Sequence, residues 1–157
     1  TGKFTVADTT SGVKIGEPNS MFKDQRVAAS FIWYPQPFGV QAEYNVGTGP
    51  EYDPATNSIL QKKLQGGYVM ANYFLKPGKM TLIPFVRYHY YDGGKKFELD
   101  ARSYGVQELE LGAEWQINEN VELVAMYTIS NRRFEDGVKP DNDQSGRLIR
   151  LQAQVSF

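Results

Sequence analysis

The chain has 157 residues, 17 Lys and Arg against 18 Asp and Glu, and a formal net charge of −1. That length suits one domain, and the charge balance excludes the basic footprint that nucleic-acid binding needs. Zero cysteines exclude disulfides, thiolate metal sites and Cys nucleophiles. The single histidine leaves no His cluster for a metal and argues against a Ser-His-Asp triad. An apolar fraction of 41% and a mean hydropathy of −0.48 are values of a water-soluble composition. The longest uninterrupted apolar run, Leu123 to Tyr127, is five residues, whereas a transmembrane helix takes about 20. A transmembrane β-barrel escapes that test, because its apolar residues alternate with polar ones.

Residues 1–10 carry neither a charged n-region nor an apolar h-region, and no initiator Met opens the chain. The chain is therefore expected to be a processed form or a piece of something longer.

In chain order the organising signal is period two. An ill-defined strand is expected near Lys3 to Val6, within residues 1–25, which otherwise look like loop or partial strand. Arg26 to Tyr34 alternates weakly. Residues 38–46 set Phe38, Val40, Ala42, Tyr44 and Val46 against Gly39, Gln41, Glu43 and Asn45. Gly66 to Leu75 places Val69, Ala71, Tyr73 and Leu75 on one side. Met80 to Tyr91 places Leu82, Val86, Tyr88 and Tyr90 opposite Arg87 and His89. Residues 108–117 alternate Leu109, Leu111, Ala113, Trp115 and Ile117 with Glu108, Glu110, Gly112, Glu114 and Gln116. Residues 121–129 repeat this less cleanly around Glu122. The chain closes on Ile149, Leu151, Ala153, Val155 and Phe157, separated by polar residues. About eight strands result, and no helix. They are long for soluble strands, which average about 5–6 residues, and suit the about 9–11 of membrane-spanning ones.

Connections alternate strictly between short and long. The short ones are Pro35-Gln36-Pro37, Lys76-Pro77-Gly78-Lys79 and Asn118-Glu119-Asn120; the long polar ones are 47–64, 92–103 and 131–146. An up-and-down antiparallel barrel with tight turns at one end gives this pattern. Aromatic residues gather beside the short turns (Trp33, Tyr34, Phe38, Tyr73, Phe74, Trp115, Phe157) and near the long loops (Tyr44, Tyr68, Tyr90, Tyr127), as two interface girdles would. Of these, Trp33, Phe38, Tyr73, Trp115 and Tyr127 are the expected girdle residues. Periodicity alone leaves open which face is inside; strand length, girdles and loop asymmetry favour lipid outside. The final five-position alternation, Ile149, Leu151, Ala153, Val155 and Phe157, resembles the signal by which the barrel assembly machinery reads its substrates.

Three segments, GGYVMANYFLKPGKMTLIPFVRYHYYDGGKKFE (66–98), LELGAEWQINENVELVAMYTIS (109–130) and RLIRLQAQVSF (147–157), resemble the C-terminal part of the phosphate-selective porins of Gram-negative outer membranes. FIWYPQPFGVQAEYNVGTGPEYDP (31–54) fits the preceding hairpin of that family. The resemblance covers residues 26–157. It implies a 16-stranded trimeric porin, of which this chain would supply the C-terminal half. It also implies outer-membrane lipid and lipopolysaccharide as surroundings and small anions such as phosphate as cargo, with no catalysis and no cofactor. A complete, narrow eight-stranded barrel with an adhesive or membrane-integrity role is the rival, and a soluble β-sandwich or lipocalin-like module is a third.

Glu43, Arg87, His89, Glu108, Glu110, Glu114, Glu122 and Arg150 are the expected pore-lining set. Arg87 and Arg150 are its anion contacts, since a guanidinium fork suits phosphate oxygens. Against each single residue stands the plainer reading that acids and bases pair across strands. His89 as a pH-sensitive group, Lys95-Lys96 and Arg132-Arg133 as head-group contacts, and a cation site among Glu135, Asp136, Asp141 and Asp143 carry less weight. Gly47-Thr48-Gly49 lacks the Lys and helix of a phosphate loop.

Overall fold

A computed structural model describes residues 21–56, 58–95, 101–135 and 142–156, together with the pairs 2–3, 6–7 and 14–15. Four two-residue strands open the chain: β1 (Gly2–Lys3) pairs with β4 (Met21–Phe22), and β2 (Val6–Ala7) with β3 (Lys14–Ile15). Seven long strands follow: β5 (Gln25–Trp33), β6 (Phe38–Asp53), β7 (Ser58–Tyr73), β8 (Thr81–Gly94), β9 (Ser103–Asn118), β10 (Val121–Phe134) and β11 (Asn142–Val155). They form one antiparallel up-and-down sheet in sequence order, β5 to β11. The expected eighth strand near Lys3 to Val6 is not part of it: Lys3 and Val6 belong to two separate short ladders.

Residues that face one another across a ladder share a face, so the registers sort every strand into two sets. One face carries Phe31, Ala42, Val69, Tyr88, Leu109 and Ile129 in a single cross-strand row. The other carries Ser30, Glu43, Tyr68, His89, Glu108, Ser130 and Gly146. The exposures are inverted relative to a water-soluble sheet. Glu110 and Thr128 on the polar face are 5% and 6% exposed, while Leu111 on the apolar face is 48% exposed. The sheet thus curves with its charged side inward: inward side chains crowd together and outward ones fan apart.

The 47–64 stretch is not a loop. β6 and β7 continue through it as a paired hairpin, with a turn at 54–56. The Gly-Thr-Gly-Pro sequence that suggested a loop serves the ladder instead. A Cβ at Gly47 would overlap the carbonyl oxygen of Gln25, so glycine there permits close strand approach. Pro50 sits above Thr48, where pairing to β5 ends. Tyr52 N donates to Ala101 O (2.7 Å), away from β7; Pro50, two residues earlier, turns its missing N–H to the same side, and its ladder with β7 loses nothing. Pro84 works alike: it falls in a gap of the β7–β8 pairing, between Asn72 opposite Phe85 and the Leu75–Leu82 bridge. The other two long connections shorten to 95–102 and 135–141 as their strands lengthen.

At this hairpin end a small core of Tyr52, Ile59 and Ala101 packs with Phe22. Gly93 lies against Leu64 of the polar face and Gly94 against Pro50, while Ala101 meets Tyr52 at the edge of β6 turned away from β7. Arg102 then holds Glu135 through two hydrogen bonds of 3.0 and 2.7 Å, and its guanidinium lies 5.5 Å from the Tyr52 ring centroid. Both partners are buried. Breaking one side of such a pair costs about 3–5 kcal/mol, whereas replacing both with apolar groups is often neutral. Arg102→Met should lower stability by that amount and Arg102→Met with Glu135→Leu should recover most of it, measured by urea unfolding. A single-variant loss under about 1 kcal/mol would show that the pair behaves as a solvated one.

Candidate functional site

All eight residues expected to line a pore fall on the polar face, spread over five successive same-face rows. Glu43, His89 and Glu108 share one row. Arg87 and Glu110 stand opposite each other in the next. Arg150 faces Met126, Glu114 faces Ile83 and Val124, and Glu122 faces Gln116 and Gln154. Rows on one face lie two residues apart, about 6.6 Å, so the set spans about 26 Å.

Charges in the centre of the face are engaged. Arg87 Nε donates to Glu110 Oε2. Glu108 accepts from Ser130 Oγ at 2.6 Å and from Arg132 at 3.0 Å, with His89 Nδ1 at 3.5 Å. Arg132 also bonds Ser130 Oγ at 3.2 Å. At this centre, then, the cross-strand pairing reading holds for Arg87, Glu108 and Glu110. Toward the short-turn end the face carries Glu114 and Glu122, and Gln116 donates to Glu114 at 2.5 Å. Arg150, on the outermost strand, is exposed and stands in no ion pair among the described residues. The hollow along β9–β11, about 340 Å³, runs from Glu108 and Glu110 to Arg132 and Arg150.

Arg132 was missed as a member of this face, because 131–146 looks like loop. β10 continues to Phe134, and even numbering from Glu122 carries Arg132 inward and its neighbour Arg133 outward, to Asp92 at 2.9 Å. Continuing the alternation of 121–129 past Ile129 would have found it. Tyr68 was expected in the upper girdle; it faces Glu43 and His89 on the polar side instead. Glu135 is occupied by Arg102, Lys95 Nζ lies 5.9 Å over the Phe134 ring, and Lys96, Asp136 and Asp141 lie outside the described residues.

Trp33, Phe38, Tyr73, Trp115 and Tyr127 all lie on the apolar face, as do Ile149, Leu151, Ala153 and Val155; Phe157 lies outside the described residues. The limits of that face slant across the ladder. At the hairpin end it stops at Val46 in β6 and at Ile149 in β11, before Thr48 and Arg147. The cross-strand row of Val46 runs through Gln65, Asp92, Gly105 and Arg133 to Asp143. Ile149 is six residues beyond Asp143, about 20 Å along the strand, over five inter-strand steps, about 24 Å. The apolar band is therefore inclined to the strands as a tilt of about 40° requires, within the 35–45° of membrane barrels. Nine-residue spans such as Phe38–Val46 and Leu82–Tyr90 then rise about 20 Å between terminal Cα atoms, which side chains extend toward the about 25 Å of an outer-membrane apolar band.

The family model for phosphate-selective porin O and P matches residues 6–157, reaching twenty positions further toward the start than the resemblance over residues 26–157. Neither a curated protein nor a solved structure matches the chain.

Proposed function

This chain belongs to the phosphate-selective porin O and P family of bacterial outer-membrane porins, and on that footing we propose that its polar face lines a passive diffusion channel for small anions and other small hydrophilic solutes. The observation that carries the reading is the inversion of the sheet: charges sheltered inside, large apolar side chains outside, in a band tilted as membrane strands are. Flow follows the concentration gradient, and no bond is made or broken.

The eight expected residues, with Arg132 added, are the proposed wall. Their contribution to ion choice is divided. Arg87 and Arg132 are held by Glu110 and Glu108, so the middle of this wall supplies polarity more than anion attraction. Arg150 is the free cation best placed to meet a permeating anion. Preference for phosphate rests on the family.

Seven antiparallel strands leave β5 and β11 running the same way, each paired on one side among the described residues. Antiparallel closure takes an odd number of further strands. Nine would complete the 16-stranded barrel; one would complete the narrow rival, whose interior side chains would fill. We favour the wide barrel, assembled as a trimer. Lipid and lipopolysaccharide meet the apolar face. The assembly machinery engages the last strand through Ile149, Leu151, Ala153, Val155 and Phe157.

Intact mass of the polypeptide extracted from its native membrane should exceed twice 17.8 kDa; a mass near that value moves the reading to the narrow barrel. In planar bilayers the purified protein should give stepwise conductance, and Arg87→Glu should shift the reversal potential toward cation preference by replacing a positive charge on the wall with a negative one. An unmoved potential would put Arg87 outside the ion path. Phe157→Ala should slow assembly into membranes; unchanged assembly would remove the terminal signal.

A further inference from the structure

The apolar face is not uniformly convex. Near its hairpin-end limit it holds a recess of about 320 Å³, at the lower end of ligand-sized cavities. Its floor is made of small residues on three adjacent strands: Ala29, Ala42 and Gly67. Its walls are Phe31, Tyr44 and Tyr90, with Tyr88 stacked on Tyr90 at 6.4 Å between ring centroids. Ser30, Glu43 and Tyr68 touch it only with backbone, since their side chains belong to the other face. Gly67 is required for this shape. A Cβ there would overlap the Glu43 carbonyl oxygen, and any side chain would fill the gap between Tyr44 and Tyr90, its partners in the row.

Polarity changes in order along β7 away from this floor. First come the Tyr44 and Tyr90 rings, which flank Gly67 in its cross-strand row and bring their hydroxyls to this rim. Tyr44 donates to Gln65 Oε1 at 3.3 Å. Lys63 follows, exposed, on the same face as Gln65 and without a carboxylate partner among the described residues. Its Cα lies about 14 Å from that of Gly67 along the strand. Apolar floor, hydroxyl and amide rim, then ammonium is the order of acyl chain, linkage and phosphate in an anionic lipid.

We propose that this recess is a retention site for one phosphorylated lipid of the outer leaflet, with an acyl chain over Gly67 and its phosphate at Lys63. The site rests on the membrane-facing reading of the apolar face. It places a fixed lipid beside the wall that carries Glu43 and His89 on its inner side.

The test is native mass spectrometry of the protein released from nanodiscs doped with a phosphorylated, saturated multi-acyl glycolipid or its dephosphorylated form. The unchanged protein should keep one phosphorylated lipid. Ala29→Leu with Ala42→Leu, which fills the floor without touching the ladder, should cut retention by about tenfold. Ala113→Leu, on the same face outside the recess, should leave it unchanged. Lys63→Gln should lower the preference for the phosphorylated form by about fivefold. Equal retention by the filled variant and the Ala113 control overturns the proposal, as does a parent protein indifferent to phosphate. An oligomer that dissociates in the filled variant while its lipid count stays constant puts a second copy in the recess and overturns it too. Failure of the unchanged protein to enter the bilayer would instead remove the membrane reading on which the site rests.

Discussion

Every backbone N–H and C=O that crosses hydrocarbon must find its partner in protein, because no water is there to supply one. The rest of this structure follows from that constraint. It explains strands of 14 to 16 residues where soluble ones are shorter. It explains why the strand prolines stand where pairing on one side has ended or is interrupted, as at Pro50 and Pro84. It also makes the two outer strands the most consequential feature of the sheet. Among the described residues β5 and β11 each present a row of unpaired groups, and in a bilayer those rows must be matched by other strands. Direction then limits the match, since both strands run from the hairpin end to the short-turn end.

The same medium decides where charge can sit. A carboxylate facing lipid is costly, so the acids of β9 are gathered on the inner face. Once there they crowd, and each demands a donor. Glu110 takes Arg87; Glu108 takes Ser130 and Arg132. Such pairs hold neighbouring strands in register, because a one-residue slip would send every one of them to the lipid side. They also limit what the wall can do electrostatically. A guanidinium already bonded to a carboxylate attracts a passing anion far less than a free one, so polarity and selectivity are separate properties here.

Much of this was legible in residue order. The period-two stretches located all seven long strands, and parity alone placed Glu43, Arg87, His89, Glu108, Glu110, Glu114, Glu122 and Arg150 together. What escaped has physical causes. Gly47 and Pro50 are turn residues by composition, and only the ladder reveals that they serve close approach and a strand-edge position. Arg132 and Tyr68 were misplaced because loop and girdle were assigned by residue type where alternation should have been continued. The Arg102–Glu135 pair joins residues 33 apart at the ends of two connections, a contact that no local pattern encodes. Which face is inside was undecidable from periodicity, since both faces alternate with the same period; curvature and exposure decide it.

The slant of the apolar band carries one more step. Each strand shows its own apolar limit, and on one strand that limit says nothing of orientation. Only when the limits are joined through the registers does a line appear, inclined by six residues over five inter-strand steps. A soluble sheet has no reason to shift its polar boundary steadily from strand to strand, because water meets it at every edge. A sheet in a slab does, because strands that curve into a barrel must tilt while the slab stays flat. The boundary is thus the trace of the bilayer on the molecule. It puts Gly67 and Tyr90 at the last apolar level of their strands and Lys63 above it, so that a lipid spanning the line from recess to ammonium would lie at the depth its own chemistry prefers.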